Sequence, residues 1–224
     1  MLKFFIWDLD GTLLDSYGSI VSSLTEVARE CGAGDSRDGI LKTVKDTAVS
    51  VYLRDLAERS GRDYGKLYQR YREISHERLE EITLIPGAVR TLERLKNGGA
   101  RHFVYTHRGG STGSLLERLG LTGYFEEIVT FEYGLKPKPS GEGVEYLVRR
   151  YGLAREETAY VGDRHLDVFC AKDAGVKAVL YCPEDSCVSP AGQEDLVISR
   201  LEELADLPEG LRPGQRTGGG LSNR

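Results

Sequence analysis

Asp8 and Asp10 stand two residues apart in the run Asp8-Leu9-Asp10-Gly11-Thr12-Leu13-Leu14-Asp15-Ser16. On an extended strand, residues i and i+2 share a face, so the two carboxylates project together. Like charges that close are costly without a cation, and a hard divalent ion with oxygen ligands relieves the cost. One carboxylate is then placed to attack phosphorus, and the other to carry the leaving-group proton. Gly11 permits a sharp turn whose amides can face an anion. Three later segments fit the same chemistry. Thr106, ahead of His107-Arg108-Gly109, offers a hydroxyl where a phosphate can be held. The run Lys136-Pro137-Lys138-Pro139 can fix an ammonium that neutralises phosphoryl oxygens. Asp163 and Asp167, after Val161-Gly162, add acids that complete a metal site. Taken singly, each segment has a local explanation: a turn, a helix cap, a solvated loop lysine.

The elements expected around these segments put all four on one edge. Residues 3–9 form a short, aromatic-rich apolar run that reads as a buried strand. From Ser16 to about Glu81 the apolar spacing is helical, with Gly32, Gly34 and Gly61 as punctuation. From Pro86 onward helices and strands alternate. The runs RHFVYT, EEIVTFE, TAYVGD and KAVLYC are expected strands, and a helix is expected to start with Ser140 as its N-cap. Such alternation implies a parallel sheet with helices on both faces, whose C-terminal strand edge carries the chemistry. The expected fold is α/β: a Rossmann-like parallel-sheet core of residues 1–15 and 86–206, an inserted all-helical cap of residues 16–85, and a Gly- and Pro-rich disordered tail of residues 207–224.

The order and spacing of these motifs resemble the haloacid dehalogenase superfamily, over residues 1–15 and about 86–185. The DxDGTLLDS segment is its most specific part. The insertion resembles the helical-cap branch that contains phosphoglycolate phosphatase, pyrophosphatases and β-phosphoglucomutase. The resemblance implies Asp8 as nucleophile, Asp10 as general acid and base, and Thr106 and Lys136 as phosphate contacts. Lys136 is preferred to Lys138 because the family's Lys-Pro-x-Pro begins with the functional lysine. It also implies Mg2+ on the Asp8 side chain, the Asp10 backbone carbonyl and Asp163, with Asp167 in support. Gly11, Thr12 and His107 join Thr106 as expected substrate contacts, although relatives often have Asn or another small polar residue where His107 and Arg108 stand. Lys45, with Lys42 and Thr47 beside it, is the expected cap contact, because a small anionic substrate calls for a second cation. Superfamily members that dehalogenate carbon lack an acid at the position of Asp10. The implied reaction is therefore magnesium-dependent hydrolysis of a small phosphate monoester through an aspartyl-phosphate, with a sugar phosphomutase or a pyrophosphatase as alternatives.

Composition narrows the remaining classes. Among 224 residues the formal net charge is −5, and no basic stripe suggests nucleic-acid binding. No run approaches the roughly 18 apolar residues of a membrane span, and the apolar N-terminal run is broken by Asp8, unlike a signal peptide. The four cysteines form no C-x-x-C pair and read as free thiols. The expected setting is cytoplasmic, the expected partner a small phosphorylated metabolite, and the expected state a monomer. The Gly61 to Lys66 segment lacks both the spacing and the Ser or Thr of a P-loop, and no G-x-S-x-G surrounds any serine.

Overall fold

The computed structural model of the chain describes residues 2–184, 186 and 188–207. Its centre is a six-stranded parallel sheet made of β1 (Phe4–Trp7), β4 (Arg101–Tyr105), β5 (Phe125–Val129), β6 (Thr158–Gly162), β7 (Lys177–Tyr181) and β8 (Leu196–Ile198), in the order β5-β4-β1-β6-β7-β8. The near-continuous apolar runs follow from burial on both faces. Phe5, Trp7, Val104, Val161 and Val179 pack on one side with α5 (Ala88–Asn97) and α6 (Thr112–Arg118). Ile6, Phe103, Tyr160 and Leu180 pack on the other with α7 (Glu142–Tyr151) and α8 (His165–Asp173).

The insertion is helical, as its periodicity predicts: α1 (Tyr17–Glu30), α2 (Arg37–Asp46), α3 (Val49–Ser60) and α4 (Tyr64–Glu77). They bury their own apolar cluster around Leu24, Ile40, Leu53, Leu56 and Ile74. Ser36 and Asp63 cap α2 and α4 by accepting from the backbone N–H of Gly39 and Lys66. The insertion leaves and rejoins the core through two short antiparallel strands, β2 (Leu14–Asp15) and β3 (Thr83–Leu84).

Three local expectations change. The sheet gains β8, a three-residue edge strand after a Gly- and Pro-containing segment, too short to show a period. The strand expected over EEIVTFE ends at Val129, and Phe131–Tyr133 form a single 3-10 turn. Gly141, not Ser140, is the cap residue of α7; the Ser140 hydroxyl accepts from Glu142 N–H one residue further out. Of the expected tail, Leu207 packs against the core cluster, and residues 208–224 lie outside the described residues. No helix among the described residues is long and apolar enough to cross a membrane.

One core contact makes stability depend on pH. His102 of β4 is buried, and the Trp7 indole N–H donates to its Nδ1 at 3.1 Å. Burial pulls its pKa from 6.5 to about 4. The unfolded chain therefore binds this proton more readily than the folded one. The contribution is complete above the unfolded value and is lost as pH falls from 6.5 towards 4. The full loss is about 3 kcal/mol. In urea denaturation, His102→Gln should flatten the decline in stability over that window relative to the wild-type chain.

Candidate active site

Asp8 follows β1, and its N–H continues the sheet by donating to Val161 O at 2.9 Å. Trp7 lies beside Val104 and Val161, so Asp8, Thr106 and Asp163 leave the sheet at neighbouring strand ends. Gly11 then turns the chain at φ 82°, a conformation that L side chains rarely adopt. A Cβ there would lie 2.5 Å from Asp163 Oδ2, so the close approach also requires glycine. Gly162 allows a similar approach, since its Cβ would lie 2.3 Å from the Asp167 side chain.

At the floor of the site Lys138 Nζ bridges Asp8 Oδ1 at 2.9 Å and Asp167 Oδ1 at 2.7 Å, with its side chain 0% exposed. The Tyr105 and Tyr160 rings lie 5.4 and 5.2 Å from the ammonium. Burial works against the charge, but Asp167 and Asp8 outweigh it and hold the Lys138 pKa above the usual value. Burial pushes Asp8 up to about 6 although Lys138 pulls it down. Asp167 is held below the carboxylate range, because Lys138 and Arg164 overcome its burial. Its other oxygen accepts from the Arg164 N–H at 3.0 Å.

The lysine brought to Asp8 is thus Lys138 rather than the expected Lys136. The backbone of Lys136 is tied at the rim, its N–H to Glu142 and its carbonyl to the Tyr105 hydroxyl, and its side chain is exposed. The motif reads in two registers because each lysine precedes a proline, and only the second lysine drops between the carboxylates. His107 supports that placement, because its Nε2 accepts the Lys138 N–H at 2.8 Å. Burial, with Lys138 and Arg164 nearby, lowers its pKa to about 3, so the ring is neutral. The expected substrate contact His107 thus has its Nε2 engaged by the backbone of Lys138.

Thr106 is buried, and its hydroxyl accepts from the Arg108 N–H at 3.1 Å, which fixes the loop beyond β4. Thr12 is also buried, with its hydroxyl unpartnered. Asp10 turns towards Arg108, whose Nη2 and Nε reach it at 2.9 and 3.1 Å. Although burial works against the charge, that guanidinium holds Asp10 below the carboxylate range. Two contacts come down from the helical insertion to Asp163. The Tyr17 hydroxyl donates to Oδ2 at 3.0 Å, and Lys45 Nζ lies 3.3 Å from the same oxygen. Of the three expected cap positions, Lys45 alone reaches the acidic group; Lys42 pairs with Asp46, and the Thr47 hydroxyl donates to Thr43 O. Arg164, 3.6 Å from Asp8 Oδ2, and Tyr17 were not expected from the sequence, although Arg164 directly follows Asp163.

Asp8, Asp163 and Asp167 bring carboxylate oxygens within 4.8 Å of one another. Asp8 Oδ2 and Asp163 Oδ1 are buried without a hydrogen-bond partner. Buried, unpartnered, hard oxygen donors of this kind fit a divalent cation such as Mg2+.

The model of the haloacid dehalogenase-like hydrolase family matches residues 5–181 of the chain. The chain belongs to that family. It is therefore a hydrolase by family. It is 31% identical to the phosphoglycolate phosphatase of Agrobacterium fabrum over 78% of each chain. It is 26% identical to the pyrophosphatase PpaX of Bacillus velezensis, over 90% of this chain and 94% of that one. Among solved structures, a subfamily IA hydrolase of the family from Geobacter sulfurreducens shares the fold with a TM-score of 0.70, at 24% identity over 92% of this chain and 95% of that one.

Proposed function

We propose that this hydrolase is a Mg2+-dependent phosphatase that cleaves a small phosphate ester through phosphorylation of Asp8. The observation that carries the reading is the state of the Asp8 carboxylate: one oxygen is fixed by Lys138, and the other is buried without a hydrogen bond, 3.6 Å from Arg164 Nη2. Asp8 and Asp163 would hold the metal through their free oxygens, and Asp10 through its backbone, since its carboxylate is committed to Arg108. When bound, the metal supplies positive charge against the phosphoryl oxygens and lowers the repulsion between Asp8 and an anionic substrate.

The residues then divide the work. Asp8 attacks phosphorus in line, forming the Asp8–phosphate bond as the ester oxygen leaves. Lys138 stays on the Asp8 side of the reacting group and, with the Thr12 and Thr106 hydroxyls, holds the equatorial oxygens. Asp10 rests ionised against Arg108, so it takes up a proton as substrate binds, gives it to the leaving oxygen and then takes one from the water that releases phosphate. The helical insertion covers the site through Tyr17 and Lys45 and keeps bulk water out.

Four carboxylates (Asp8, Asp10, Asp163, Asp167) face four cations (Arg108, Lys138, Arg164, Lys45). A divalent metal therefore balances the charge of an incoming phosphate dianion. Phosphate release from phosphoglycolate and pyrophosphate should require Mg2+. Chelation with EDTA should lower the rate by at least about 100-fold, as loss of a cation from the reacting centre would. Full activity in EDTA would sink the metal-dependent reading. Release of phosphate from no ester would sink the phosphatase reading.

A further inference from the structure

Among the described residues, Arg108 is the only cation of the site paired to a carboxylate that is itself open to solvent. Its partner Asp10 is 22% exposed, whereas the Asp8, Asp163 and Asp167 side chains are 1–2% exposed. The guanidinium is 8% exposed, and its loop is anchored where Arg108 N–H donates to the Thr106 hydroxyl. Tyr71 of α4 lies within electrostatic reach of it, so the pair sits where the core meets the helical insertion. Lys138 is fully buried against Asp8, whereas the Arg108–Asp10 pair is the more exposed one, so a leaving group that departs in line away from Asp8 towards solvent would pass this pair. The pairing uses Nε and Nη2 in a two-toothed grip on a carboxylate.

We propose that Arg108 recognises a second oxyanion, carried by the leaving group of the substrate, with the Asp10 carboxylate standing in the position that oxyanion takes. The assignment rests on the phosphatase reading and narrows its substrate class. The favoured substrates carry a carboxylate or a second phosphoryl group close to the reacting phosphorus. Trading one carboxylate partner for another keeps the guanidinium charge compensated, so the exchange carries little of the cost of stranding a buried cation. The same exchange leaves the Asp10 oxygens free at the leaving-group side. Lys45 is the weaker candidate for this task, because an ammonium lacks the planar fork and its charge is already directed at Asp163.

The test compares kcat/KM on phosphoglycolate, on pyrophosphate and on ethyl phosphate, whose leaving group is uncharged. The quantity read is the ratio of each doubly anionic substrate to ethyl phosphate, which cancels any general loss from disturbing Asp10. The wild-type enzyme should prefer at least one of the two by about tenfold or more, and Arg108→Gln should lower that ratio by about 10- to 100-fold. Arg108→Lys, which keeps the charge but not the fork, should recover part of it, and serves alone if the glutamine variant does not fold. A fall confined to phosphoglycolate assigns a carboxylate, and a fall confined to pyrophosphate assigns a phosphoryl oxyanion. A ratio that stays within about twofold while ethyl phosphate is still hydrolysed overturns the assignment of Arg108 and leaves the phosphatase reading standing. Release of phosphate from none of the three by the wild-type enzyme removes the phosphatase reading and this assignment with it.

Discussion

Asp8→Asn should lower kcat for phosphate release by at least about 10^4-fold, the scale set by removing a covalent nucleophile. The side chain keeps its size, so the fold is retained. The amide offers a single oxygen, however: satisfying Lys138 with it turns the nitrogen towards the position of Asp8 Oδ2, which makes no hydrogen bond and lies 3.6 Å from Arg164 Nη2. The same substitution should stabilise the metal-free protein. Burial raises the Asp8 pKa to about 6, so ionising this carboxylate works against folding at neutral pH. A raised pKa makes the folded state bind the proton more tightly, so the cost is complete above about 6 and vanishes below 3.8. Removing it should gain about 1–3 kcal/mol in urea denaturation at pH 7.5. A variant that is more stable and inactive marks Asp8 as a residue kept for chemistry; retained turnover would eliminate it as the nucleophile.

The second large effect separates the two lysines. Lys138→Met should cost about 3–5 kcal/mol of stability, because it strands Asp8 and Asp167 as buried carboxylates without the ammonium between them. It should lower kcat by about 10^2- to 10^3-fold, the usual effect of losing one preorganised positive donor. Lys136→Met should change stability by no more than about 0.5 kcal/mol, as expected of an exposed side chain away from the cluster. Its kcat should stay near that of the wild type. Steady-state rates and denaturation curves for the two variants decide the matter. The reverse pattern would return the function to Lys136.

Much of this arrangement was legible in the chain because it depends on local pattern. A strand buried on both faces leaves a continuous apolar run, as Phe4–Trp7 does, and a charged pair breaking that run marks where the strand meets the site. The helices of the insertion announce themselves by period and by the glycines Gly32, Gly34 and Gly61 that punctuate them. What stayed hidden depends on side-chain reach across the fold. Lys136 and Lys138 both precede proline, and only the surrounding carboxylates distinguish them. Arg108 and Tyr17 gain their importance from partners 98 and 146 residues away, Asp10 and Asp163. No local signal shows that the Nε2 of His107 is taken by the Lys138 backbone. The strand pair β2 and β3 is two residues long on each side, below the length at which alternation can be read.

That short pair has a consequence for how such a protein can be rebuilt. Leu14 stands opposite Leu84 and Asp15 opposite Thr83, so the entire helical unit enters and leaves the molecule at one doorway. To the sheet, everything between residues 16 and 82 is a long hairpin loop. Loop length enters closure entropy only logarithmically, so lengthening or shortening this passage changes the core's stability slightly. The doorway could be shut by a turn of about two to four residues, or fitted with an unrelated module, without re-threading a single core strand. The helical unit that brings Tyr17 and Lys45 to Asp163 can therefore be exchanged while Asp8, Arg108 and Lys138 stay where they are.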